Sequence, residues 1–261
     1  MPISCPLAIR SPETDDFREF DYVVMRHAFE THKNLGRLAD ESICKVYFGQ
    51  HLKESSFEVH REVPIDVAYE TFHKQYLLDM VVNRFGVYEV KMASELTLEH
   101  EMQLLNYLLL LDLSRGKLIN FRPQSVQYKF VNAPARRKSR QHFKVTVDRW
   151  TDQSCLRSKA LGFLRDWGTG LALPLYTQAA THFLGGEFHA IRNIQMDRDG
   201  YPLGRQRFHM TSESEAFRIT ALAKGLGEYE SNLRKLLRHS ALDAIHWINI
   251  TLSEVRLLSV E

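Results

Sequence analysis

Asp79, Glu89 and Lys91 are the residues of this 261-residue chain whose types and spacing best suit hydrolytic chemistry. Glu89 and Lys91 lie two apart in VYEVKMA. Side chains alternate between the faces of a strand, so both project from one face. Asp79, in LLDMVV, joins them if Asn83-Arg84-Phe85-Gly86 turns the chain into a hairpin. Charges flanked by Leu, Val and Tyr are costly to bury without a partner or a metal. Metal-assisted hydrolysis gives them a reason to be there. Asp79 and Glu89 offer hard oxygen ligands to Mg²⁺ or Mn²⁺, and water and a phosphate oxygen can fill the remaining positions. Lys91 can orient the attacking water or neutralise developing charge. A buried Asp–Lys–Glu network that serves packing alone uses the same residues, and spacing does not separate the two.

The elements that must position these residues follow from the patterning. Residues 17–35 suit a helix, with Phe20, Val23, Val24, His27, Ala28 and Thr31 near one face and Leu35-Gly36 as its end. A second helix is expected over 40–53, with Ile43, Val46, Tyr47 and Leu52 inward. SFEVHREVPIDVAY (56–69) alternates and is rich in valine, which predicts a strand with a break at Pro64. The hairpin follows over 72–93, then a helix over 99–113. GKLINF (116–121) is expected as a strand after a glycine stop, and SVQYKFV (125–131) as another. This order predicts an α/β unit with a mixed sheet.

NAPARRKSRQHFK (132–144) carries Arg136, Arg137, Lys138, Arg140 and Lys144 and no acid. It is expected to be a basic connector, either a solvated link or a track for phosphates. Beyond it the texture repeats. At one offset, the 129 positions from Asn120 to Asn249, GKLINFRPQSVQYKFV overlies IHWINITLSEVRLLSV. The preceding helix falls into register too, with Leu104 on Leu233 and Leu108 on Leu237. A duplicated unit is the preferred reading. The same register places Asp79 on Phe208, Glu89 on Arg218 and Lys91 on Thr220, a set that cannot hold a metal. Trp150, Trp167 and Trp247 are expected in core or interface rather than as base-stacking platforms.

Composition is that of a globular protein, 44% hydrophobic and 25% charged. A net charge of +2 writes no general nucleic-acid affinity into the chain, so any basic surface must be local. Cys5, Cys44 and Cys155 show no metal-ligand spacing and no disulfide framework, which suits a reduced, cytoplasmic setting. No apolar run is long enough to span a bilayer. The first sixteen residues read as a poorly ordered lead-in without a secretory pattern. Neither a P-loop nor a histidine pair is present, which disfavours a small-molecule phosphatase or nucleotide hydrolase.

Across roughly residues 20 to 122 the chain resembles the bacterial GxxExxY proteins, a branch of the PD-(D/E)XK nuclease superfamily. AFETHKNLG (28–36), DES, HREVPIDVAY, LLDMVV, VYEVKMA, LEHEMQLLNYL and KLINF occur in family order and at close to family spacing. The resemblance implies a restriction-endonuclease-like mixed sheet flanked by helices. It makes Asp79 the motif aspartate and Glu89 and Lys91 the E-x-K pair. Gln103 and Tyr107 match the Q-x-x-x-Y element of the following helix, and four-residue spacing puts them on one helix face. Glu30 matches the acidic residue of the first helix. His100 is a further candidate phosphate contact. The stretch that names the branch falls on Leu38-x-x-Glu41-x-x-Cys44, so only Glu41 stands. In the second half Gly170 and Tyr176 have the right spacing, with Leu173 where the glutamate belongs.

The expected organisation is therefore a nuclease-like unit over 17–131, the connector over 132–144 and a degenerate copy over 145–261, packed as a pseudo-dimer within one chain. The expected activity is Mg²⁺- or Mn²⁺-dependent hydrolysis of phosphodiester bonds in nucleic acid, DNA before RNA. The alternative is an inactive nucleic-acid-binding or protein-interaction module. Any protein partner or higher oligomer is left open by the sequence.

Overall fold

The computed structural model describes residues 2–11 and 14–261. Two compact units divide the chain, Met1–Arg137 and Lys138–Glu261. Each is α/β with a six-stranded mixed sheet flanked by helices.

The first unit opens with β1 (Ile3–Ser4), then α1 (Thr14–Leu35), α2 (Glu41–Glu54), β2 (Val59–Tyr69), β3 (Phe72–Val82), β4 (Gly86–Lys91), α3 (Leu98–Leu111), β5 (Arg115–Asn120) and β6 (Gln127–Asn132). The sheet order is β1-β2-β3-β4-β5-β6. Only β4 and β5 run parallel, and a parallel pair needs a crossover, which α3 supplies. The expected lead-in is partly structured, because Ile3 and Ser4 pair with Val67 and Asp66. The rest of that expectation falls partly on Met1, Pro12 and Glu13, outside the described residues.

Local chemistry explains most boundaries. The β3–β4 turn places Asn83 and Arg84 at φ +50° and +59°, and Asn83 Oδ1 accepts a hydrogen bond from the Glu58 amide at 2.9 Å. Asparagine tolerates the left-handed conformation and ties the turn to the chain entering β2. β2 runs unbroken through Pro64, against the expected break. β1 pairs only at Asp66 and Val67, so the outer edge of β2 beside Pro64 is unpaired, and a residue without an N–H is tolerated there. Asp112, not a glycine, ends α3 in the left-handed conformation at φ +57°. Gly116 lies inside β5, where a Cβ would meet Leu104 Cδ1 and Leu108 Cδ2 at 3.2 Å; its lack of a side chain lets α3 approach the sheet.

Val24, Ala28, Phe48, Leu52, Met80, Tyr88, Val90, Ile119 and Phe121 form the core between α1, α2 and the sheet. α2 turns a different face inward from the one expected. Cys44, Phe48, Gly49 and Leu52 are buried, while Ile43, Val46 and Tyr47 are exposed. Helical spacing allowed both faces; packing against β2 and β4 selected the one carrying Gly49, whose Cβ would stand 2.9 Å from Arg61 Cδ.

The second unit contains α4 (Arg137–Arg140), which begins at the boundary, then β7 (Lys144–Asp148), α5 (Leu156–Trp167), α6 (Leu173–Phe183), α7 (Gly186–Ala190), β8 (Ile191–Arg198), β9 (Tyr201–Met210), β10 (Glu215–Thr220), α8 (Leu226–Arg238), β11 (Ala244–Ile250) and β12 (Glu254–Val260). Its order, β7-β12-β11-β10-β9-β8, contains the same five-strand path as β6-β5-β4-β3-β2. The sixth strand differs: β1 extends the β2 edge of one sheet and β7 the β12 edge of the other.

The two sheets fit a duplication down to single hydrogen bonds. Asn120 accepts from the Ala93 amide at 3.0 Å and donates to the Ala93 carbonyl at 2.8 Å. Asn249 does the same with Leu222, at 2.7 and 2.9 Å. Both partners and both asparagines are related by the offset of 129. Lys117, buried in an ion pair with Asp21, has His246 as its counterpart, bonded to Ser259 Oγ at 2.8 Å. Trp167 and Trp247 are fully buried, as expected of core residues.

Candidate active site

β4 is buried along its whole length. Tyr88 and Val90 face the α1–α2 core. By alternation Glu89 and Lys91 project from the other face, where α3 lies, and Asp79 does so from β3. The hairpin thus brings the three residues onto one face. Glu89 is 0% exposed, and Asp79 and Lys91 are each 8% exposed.

Their bonding is specific. Lys91 Nζ donates to Glu89 Oε1 at 2.8 Å. Asp79 Oδ2 accepts from the Val90 amide at 3.0 Å, which locks the aspartate onto the strand carrying the other two. Asp79 Oδ1 accepts from Lys45 Nζ at 2.6 Å. Glu89 Oε2 is buried and has no hydrogen-bond partner. Burial first, then the charge of Asp79, pushes the Glu89 carboxyl up to about 7, although Lys91 and Lys45 pull it down. A buried carboxylate oxygen with an unused lone-pair set beside a second carboxylate suits a hard divalent cation. The donor set therefore fits Mg²⁺ or Mn²⁺.

Lys45 and Glu41, from the first turns of α2, complete this cluster. Lys45 Nζ is 2.7 Å from Glu41 Oε1, and Glu41 Oε2 accepts from the Met92 amide at 3.3 Å. Burial works against the Lys45 ammonium, yet its bonds to Asp79 and Glu41 hold its pKa above the ordinary lysine value. Burial likewise opposes the Glu41 carboxylate, but Lys45, Lys91 and the Met92 amide hold its pKa down. Lys45 escaped the sequence reading. An i, i+4 Glu–Lys pair usually marks a solvated helix face, and the fold alone directs this one at β3.

Gln103 and Tyr107 come together on α3, with Gln103 Nε2 donating to the Tyr107 hydroxyl at 3.0 Å. Burial, then the charges of Glu89 and Asp79, raise the Tyr107 pKa against the Gln103 hydrogen bond. Tyr107 also packs edge-on against Tyr76, with centroids 6.0 Å apart.

Other candidates have different partners. Glu30 makes its ion contacts with His27 and His51 across α1 and α2. His100 serves α3 itself: its Nδ1 accepts from the Thr97 amide at 3.1 Å, closing a capping box. The connector is not a free basic track. Arg136 and Arg137 donate to the Asp112 and Leu110 carbonyls at the end of α3, and the Arg137 amide bonds Asp112 Oδ1 at 2.6 Å. Arg140 is 1% exposed and donates to the Thr169 carbonyl at 2.6 Å, so it is withdrawn from any phosphate. Helix-terminal carbonyls attract arginines for the same electrostatic reason phosphates do, and sequence does not distinguish the two uses. Lys138 is exposed.

At the equivalent place in the second unit, Thr220 Oγ1 accepts from Trp247 Nε1 and donates to Asn249 Oδ1, both at 2.7 Å. Phe208 is buried in the core. Tyr176 is also buried; its hydroxyl donates to the Gly168 carbonyl at 2.6 Å and closes a loop.

Among the described residues, no helix is long and apolar enough to cross a membrane. Neither the curated proteins nor the solved structures yield a match to the chain. Residues 18–131, which run from α1 to β6 and include every member of the Asp79–Glu89–Lys91 cluster, match the family model of the PD-(D/E)XK nuclease superfamily, and this part of the chain is similar to those nucleases.

Proposed function

We propose that the first unit is a divalent-metal-dependent nuclease that hydrolyses phosphodiester bonds in DNA, nearest in kind to the GxxExxY branch. The observation that carries this reading is the partnerless, buried Glu89 Oε2 beside Asp79, on the strand that also presents Lys91. Asp79 and Glu89 would hold Mg²⁺ or Mn²⁺. When bound, the ion polarises the phosphate and makes a water nucleophile available at neutral pH. Lys91 holds that water or a phosphate oxygen through Nζ and neutralises charge that develops in the transition state. Gln103 and Tyr107 orient the phosphate from α3, and Glu41 with Lys45 fixes the Asp79 carboxylate. The second unit, with Phe208, Arg218 and Thr220 at the corresponding places, is a degenerate copy without that ligand set.

One observation favours a second reading, an inactive nucleic-acid-binding module. Both Asp79 oxygens already have partners, and Lys91 holds one Glu89 oxygen. Cleavage and binding of labelled DNA, each measured with Mg²⁺ and with chelator, separate the two. Cleavage that needs the ion supports the nuclease; binding indifferent to the ion, without cleavage, supports the module.

A further inference from the structure

Apart from the Asp79–Glu89 face, α1 and α2 bring together His27, Glu30 and His51. Each offers one ligand atom, and the three atoms lie within 4.8 Å of one another. Glu30 Oε2 stands 3.5 Å from His27 Nδ1 and 3.4 Å from His51 Nε2. Ligand atoms about 2.0–2.2 Å from a tetrahedral Zn²⁺ are separated by roughly 3.3–3.6 Å, so these two edges suit one ion.

His27 carries the second, independent indication. Its side chain is 6% exposed, and neither ring nitrogen has a hydrogen-bond partner. A buried imidazole needs an acceptor for its N–H or a use for its lone pair, and protein interiors rarely withhold both. The ring meets His51 edge-on, with centroids 4.9 Å apart, and is aimed into the cluster.

The surroundings agree with a ligand set. Thr31 Oγ1 lies 3.3 Å from His51 Nδ1, which leaves Nε2 directed at Glu30. A hydrogen bond at the other ring nitrogen is the usual way a ligating histidine is oriented. Glu30 is 47% exposed and borders an open groove with Arg26 and Lys33, so an ion has a route from solvent. Two imidazoles and one carboxylate, with a position open to water, suit Zn²⁺ better than Mg²⁺, which prefers oxygen ligands alone.

We infer that His27 Nδ1, Glu30 Oε2 and His51 Nε2 form a transition-metal site, occupied by Zn²⁺, that clamps α1 to α2. It is separate from the proposed hydrolytic centre and does not depend on it.

The test uses the full chain, stripped with chelator and titrated with Co²⁺ as a coloured probe and then with Zn²⁺ as competitor. Wild type is expected to bind one Co²⁺ with the intense visible bands of a low-coordinate site, which one equivalent of Zn²⁺ removes. The Asp79→Ala/Glu89→Ala chain should keep those bands, which separates this site from the other. Glu30→Gln and His51→Ala, both at partly exposed positions and checked for folding by circular dichroism, should weaken binding at least tenfold. Zn²⁺ should also raise the Tm of wild type and not that of Glu30→Gln. Absence of such bands in wild type, their survival in both variants, or their loss in Asp79→Ala/Glu89→Ala would overturn the assignment.

Discussion

Lys45 Nζ lies 2.6 Å from Asp79 Oδ1, closer than either residue stands to any other charged group that contacts it. A divalent ion held by Asp79 Oδ1 would have to compete with this ammonium for the oxygen. Lys45→Ala is expected to raise Mn²⁺ affinity by about threefold to tenfold, as the competitor is removed. It should also cost about 1–3 kcal/mol of stability, because Asp79 and Glu41 lose a charged partner in a partly buried place. Calorimetric Mn²⁺ titration and urea unfolding check the two halves of this expectation.

The Glu89 carboxyl, pushed up to about 7 chiefly by burial and next by Asp79, gives a signed pH dependence. Its folded pKa lies above the ordinary value of 4.5, so the folded state holds the proton more tightly than the unfolded chain. In chelator, that contribution to stability is full below about pH 4.5, is lost as the pH rises through about 7, and is flat above. Ion binding must displace the proton, so Mn²⁺ affinity should climb towards pH 7 and then level. Thermal melts and titrations between about pH 5 and pH 8 test this, and Glu89→Gln should flatten both curves.

The Asn120 and Asn249 clasps predict matched losses. Replacing either by alanine strands a part-buried amide and carbonyl, of Ala93 or Leu222, and should cost about 1–3 kcal/mol in the unit concerned. Hydrogen exchange resolved by segment should show the loss in the first unit for Asn120→Ala and in the second for Asn249→Ala.

The candidate site was legible because its pattern is local. Asp79, Glu89 and Lys91 lie within one hairpin, and a two-residue alternation with an Asn-containing turn suffices to converge them. The repeat was legible for a related reason: a fixed offset survives even where side-chain chemistry has changed, as at Phe208 and Arg218. What the sequence hid depends on distant partners. Lys45 meets Asp79 only through the docking of α2. β1 is two residues that become a strand because Asp66 and Val67 offer an edge. The inward face of α2 was misread because Ile43, Val46 and Tyr47 are as apolar as the residues that packing chose. The contacts of Glu30 with His27 and His51 also depend on the docking of α1 and α2.

The arginines at the unit boundary should separate structure from binding. Arg140→Ala removes a buried guanidinium from the Thr169 carbonyl and should destabilise the second unit by about 2–4 kcal/mol. Lys138→Ala should leave stability within about 0.5 kcal/mol. If DNA binds here, Lys138→Ala should reduce the slope of log affinity against log salt by about 1 at most. Fluorescence anisotropy across a salt series, with urea melts of both variants, measures the contrast.

Cleavage of labelled DNA, run beside calorimetric Mn²⁺ titration for wild type and five variants, bears on the hydrolytic assignment without intermediaries. Wild type should cut only with the ion. Asp79→Ala and Glu89→Ala should lose ion binding and cleavage together. Lys91→Ala should keep ion affinity within a few-fold while cleavage falls by about 10²–10³. Arg218→Ala, at the matching place in the second unit, should cut at nearly the wild-type rate. Ion-dependent cleavage at the wild-type rate by the Asp79→Ala/Glu89→Ala chain would contradict the assignment.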